Sequence, residues 1–153
     1  MGKLSEDLFA IKLYEMEQQY GRLQTKLRIC SQEDHQQIRQ ELEQAKREYR
    51  EKNLLLQQSI ENGRSKAVSA LAAAQLECQQ KAEKLLNSKL PESLHSEANT
   101  QLEDEAEAAA LYAEYAMDFS TQAMQYAFLS ALRALDLQLD AEEQKEEHDH
   151  ETD

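Results

Sequence analysis

Between Ala106 and Leu139 the chain contains neither Gly nor Pro, and small side chains recur through it at a fixed rhythm. Ala106, Ala109, Ala113, Ala116, Ser120, Ala123, Ala127, Ser130 and Ala134 are separated by steps of three or four. That spacing puts them in one row along a helix, a heptad seam of small residues. Large apolar residues border the seam, with Tyr112, Phe119, Tyr126 and Leu137 on one shoulder and Met117, Met124, Phe128 and Leu135 on the other. Polar residues (Glu107, Glu114, Asp118, Gln122, Gln125 and Asp136) are confined to the face that remains, which Leu111, Leu129 and Leu132 also enter. A helix that is apolar around most of its circumference needs neighbours on several sides. Whatever this chain folds into is organised around that helix.

The rest of the sequence supplies helices and almost no vocabulary for anything else. Three Gly, one Pro and no Trp stand among 153 residues rich in Glu, Gln, Ala, Leu and Lys, which is a helical composition. The expected fold is all-α: an elongated helical bundle with a coiled-coil-like antiparallel hairpin over residues 1–89 and a long Ala-rich helix packed on it. A first helix is predicted over about 5–30, capped by Ser5, with Phe9, Leu13, Met16, Tyr20, Leu23, Leu27 and Cys30 as its seam and Gly21 suited to a close helix contact. Ser31 to Asp34 has the form of a capping box, so a second helix is predicted over about 32–62 with Ile38, Leu42, Ala45, Tyr49, Lys52, Leu56 and Ile60 in its stripe. The short break between these two helices is expected to turn them into the hairpin.

Asn62-Gly63 reads as the next break, because past it the heptad phase is lost; the alternative is one helix continuing to Lys89. A third helix over about 65–89 then places Val68, Leu71, Ala74, Cys78, Ala82 and Leu85 inward. Leu90-Pro91 is expected to end it, since a residue before Pro is driven from helical geometry. Residues 90–100 read as a linker, 101–141 as the long helix with Thr100 or Asn99 as cap, and 142–153 as an acidic disordered tail without an apolar side chain.

Charge and motif content narrow the function classes. The net charge is -13, and it is unevenly spread: residues 1–91 carry 15 Lys/Arg against 13 Asp/Glu, residues 92–153 carry 2 against 17. An acidic chain is poorly suited to nucleic acid or to an anionic membrane surface. Arg39, Lys46 and Arg50 share a helix face within the basic positions of 39–66, but Glu41, Glu43, Glu48 and Glu51 interleave with them as on a solvated helix. No phosphate-cradling Gly loop or nucleophile elbow is present. Glu-x-x-His, a spacing used by di-iron bundles, occurs at Glu92–His95 and Glu147–His150, but no inward carboxylates on other helices accompany it. Hence no catalytic, cofactor-binding or metal residue is expected. Cys30 and Cys78 lack metal-type spacing and are expected to be buried free thiols. No secretory leader, myristoylation pattern or membrane-spanning run is read, which makes the cytoplasm the expected location.

These observations lead to a non-catalytic protein–protein interaction module: a small adaptor, scaffold or chaperone-like subunit with an unidentified protein partner. Its nine-residue small seam is the expected interface of a homodimer. The alternative is an accessory factor of a nucleic-acid-handling complex that uses residues 39–66.

Overall fold

The computed structural model describes residues 6–151 and is all-α, with no strand among them. The helices are α1 (Glu6–Cys30), α2 (His35–Asn62), α3 (Lys66–Lys84), α4 (Leu90–Leu94) and α5 (Gln101–Glu151), and a π-helical turn, Leu85–Lys89, joins α3 to α4. The expected cap Ser5 lies outside the described residues. The chain divides into two compact units: a first formed by residues 1–21 with 113–153, and a second formed by residues 22–112.

Each helix boundary has a local cause. α2 begins three residues later than its capping-box reading placed it: the cap is Asp34, whose Oδ1 accepts the N–H of Gln37 at 2.9 Å. Ser31 instead donates its hydroxyl to the Arg28 carbonyl at 2.7 Å and so finishes α1. The chain breaks after Asn62, and α3 is capped by Ser65, whose Oγ accepts from Val68 N–H at 3.2 Å. α5 begins with a reciprocal box. Thr100 N–H donates to Glu103 Oε2 at 2.6 Å, and Glu103 N–H donates to Thr100 Oγ1 at 3.3 Å.

Pro91 does not stop the helix before it. Proline offers no N–H and its ring crowds the carbonyl four residues back. The preceding turn widens to accommodate it, with Leu90 N–H reaching the Leu85 carbonyl, and helical backbone then runs through Pro91 to Leu94. The connection to α5 is therefore residues 95–100, shorter than the expected 90–100. At the other end α5 continues through residues 142–151, where a disordered tail was expected. Glu, Gln and Lys are good helix formers, Gln138 donates to Glu142 at 3.1 Å across one turn, and His148 and His150 stand in the last turn.

In the second unit the most extensively paired helices are α2 and α3, so the tight hairpin is one step later in the chain than the α1–α2 hairpin expected. Between α1 and α2 an exposed ion pair, Lys26–Glu41, spans 3.9 Å. Gly63 makes the α2–α3 turn possible: a Cβ there would lie 2.5 Å from the Ser59 carbonyl oxygen and would also meet Ser69 Oγ. At Gly21, by contrast, a Cβ would meet open space.

The inward row of α3 is Ser69, Ala72, Leu76, Gln79 and Glu83, next to the row anticipated, and Leu86 of the π-helical turn continues it. Leu71 is 72% exposed and Cys78 is exposed. Apolar residues occupy both rows of this Ala-rich helix, and polar Gln79 and Glu83 stand in the covered one. Tyr49 and Asn53 of α2 hydrogen-bond one another and Tyr49 meets Glu83 of α3. Burial first, then the bond to Glu83, raise the Tyr49 phenol above its ordinary value, against a lowering by Asn53.

Candidate interaction surface

Burial is sparse. Among the described residues only Ala72, Ala108 and Asp104 are fully buried. On α5 the covered positions in the second unit are Asp104, Ala108 and Tyr112, and in the first unit Ala116, Ser120, Met124, Ala131, Ala134, Leu135 and Gln138.

Within the second unit, the start of α5 is pinned by one polar contact. Asp104, 6% exposed at its side chain, places Oδ2 2.6 Å from Nδ1 of His95, the residue that closes α4. Its other oxygen, Oδ1, has no protein partner. Among the described residues no group of three or more His, Cys, Asp or Glu side chains is placed to share a metal ion. Two of the basic residues of α2 pair within their own helix, Lys46 with Glu43 at 3.1 Å and Arg47 with Gln44 at 2.6 Å.

Within the first unit, residues 6–21 of α1 lie antiparallel beside the later part of α5. Tyr20 and Ser120 are hydrogen-bonded through their hydroxyls at 2.9 Å, and Phe9, Leu13 and Met16 line a groove with Met124, Ala127 and Ala131. Part of the small seam faces α1 in this unit. Ala116, Ser120 and Ala134 are half-buried; Ala106, Ala109, Ala113, Ala123, Ala127 and Ser130 are exposed, although Ala113 and Ala127 line grooves beside α1.

Two flanks of α5 remain open in this unit. One carries Tyr115, Phe119 and Tyr126 (67%, 54% and 70% exposed) with Ala123 and Ser130 between them. The other carries Met117, Phe128, Leu132 and Leu139, all exposed. Of the shoulders read from the sequence, Phe119, Tyr126, Met117 and Phe128 stand on these open flanks, whereas Tyr112, Met124 and Leu135 are half-buried; which part of the seam α1 would cover had no sequence signal. No family model matches the chain, and no curated protein and no solved structure matches it either. No helix among the described residues is long and apolar enough to cross a membrane.

Proposed function

We propose that this chain is a non-catalytic protein–protein interaction module, a cytoplasmic adaptor, scaffold or chaperone-like subunit, and that it pairs with a second copy of itself through α5. The supporting observation is the open aromatic flank of the first unit, where Phe119, Ala123, Tyr126 and Ser130 form one exposed heptad row. A two-helix pair has little interior of its own, and each large side chain taken out of water contributes roughly 1.5–3 kcal/mol. A two-fold pairing supplies that cover in the most frequent oligomer geometry. Ala123 and Ser130 let the helices approach, and Phe119 and Tyr126 fill the space beside them. In an antiparallel arrangement centred near Ala123 and Tyr126 the acidic stretches of the two copies fall at opposite ends, which limits their repulsion.

Light scattering after size exclusion tests the pairing. The expected mass is twice the 17.6 kDa of the chain, falling to the single value in Ala123→Glu/Tyr126→Glu. Both residues are exposed, so circular dichroism should report an intact helix content. A wild type that runs at the single-chain mass at tens of micromolar would remove self-pairing from the proposal.

A further inference from the structure

The other flank of α5 changes character without changing face. Beside α1 it borders a groove of about 440 Å3, whose lining is apolar but for Lys12. Phe128, Leu132, Leu135 and Leu139 follow one row at steps of four, three and four; continued at three and four, the row reaches Glu142 and Glu146, with Glu143 alongside. The helix is unbroken over this span, and Glu142, Glu143 and Glu146 are exposed. An apolar track therefore runs straight into an acidic one, near a helix C-terminus whose dipole also favours cations.

We infer that this groove and its acidic extension take an amphipathic helix of another protein, apolar along one face and carrying Lys or Arg at the end that overlies Glu142–Glu146. The inference rests on reading the chain as an interaction module but is independent of self-pairing, which uses the opposite flank. Charge selects the occupant. Residues 113–153 carry 11 Asp/Glu against 2 Lys/Arg, so a second copy laid along this track would set like charges together. A helix with a basic end meets the extension with opposite charge. Lys12 within the groove disfavours a cation there and confines the basic residues of the ligand to one end. The mode is helix-in-groove recognition, with anchors at helical spacing.

The probe is a labelled synthetic peptide of about 18 residues, or five turns, with Leu along one face and Lys at one end, titrated against the full chain by fluorescence anisotropy. Saturable binding is expected. It should weaken about tenfold in Glu142→Gln/Glu143→Gln/Glu146→Gln, the sum of three exposed charge pairs. It should weaken similarly when Glu replaces Lys in the peptide, and it should be lost in Leu132→Glu, an exposed position whose substitution leaves helix content unchanged. Equal affinity for the Lys and Glu peptides, an unaffected triple variant, or no binding by a chain with native helix content would overturn the inference. So would binding by the Ala123→Glu/Tyr126→Glu variant alone, because the groove would then belong to a second copy. A single-chain mass with retained peptide binding would sink self-pairing and leave this inference standing.

Discussion

His95 Nδ1 lies 2.6 Å from Asp104 Oδ2, joining the residue that closes α4 to a buried carboxylate four positions after the cap of α5. Asp104 is the single buried polar residue among those described, and this contact fixes how the chain re-enters a helix after residues 95–100. Replacing His95 by Ala leaves the carboxylate buried without its partner, at a cost of about 1–3 kcal/mol. Urea denaturation of His95→Ala, Asp104→Ala and the double variant should show that the two effects do not add. Strict additivity would mean that the contact carries no stability.

The two structurally described glycines should respond to Ala in opposite directions. At Gly63 a Cβ meets the Ser59 carbonyl oxygen at 2.5 Å and the Ser69 hydroxyl oxygen, so the α2–α3 turn must open, costing about 1–3 kcal/mol. At Gly21 there is open space, and the better helix propensity of Ala should add about 1 kcal/mol. Thermal melts of the two variants on either side of the wild type are the expected result. A neutral Gly63→Ala would contradict the close packing of this turn.

Alkaline pH should weaken the α2–α3 pairing through Tyr49. Its phenol is raised above its ordinary 10.0 by burial and by Glu83. The folded state therefore holds this proton more tightly than the unfolded state does. The stability so gained is complete below about pH 10 and is lost as pH rises through the folded-state value. Absorbance titration should find Tyr49 ionising later than in the unfolded chain, and Tyr49→Phe should flatten the alkaline decline. An identical decline in wild type and variant would place its cause elsewhere.

Cys78 is exposed and Cys30 is half-buried, and both are free thiols. Access governs which reacts first. Limiting maleimide on the native chain, followed by peptide mapping, should label Cys78 ahead of Cys30, and both fully once denatured. Preferential labelling of Cys30 would argue against the face that α3 turns inward.

Among the described residues, ending the chain after Ala141 removes only the exposed helix of 142–151. Stability should stay within about 0.5 kcal/mol of the full chain, as for other surface changes. The far-ultraviolet circular dichroism should nevertheless fall, because residues 142–151 are helical. An unchanged signal per molecule would mean that this stretch is not helical in solution.

Local chemistry is what the sequence determined by itself. Composition dictated helices, the Asn62-Gly63 pair marked a true break, and Thr100 with Glu103 announced the start of α5, because caps and breakers act within a few residues. Even there, choices between near neighbours escaped it: Asp34 is the cap of α2 in place of Ser31, and a widened turn carries the helix through Pro91. The tertiary structure alone decided which face of each helix is covered. On α3 two adjacent rows are apolar, and the covered one contains Gln79 and Glu83. On α5 the small seam, both shoulders and Ala108 are all suitable for burial. Within the first unit the covered Ala116, Ser120 and Ala134 belong to the seam, whereas the covered Met124, Ala131, Leu135 and Gln138 lie off it. Periodicity measures contrast between faces, and where several faces are apolar there is little contrast to read. Only the neighbouring helices, brought together by the fold, make the choice.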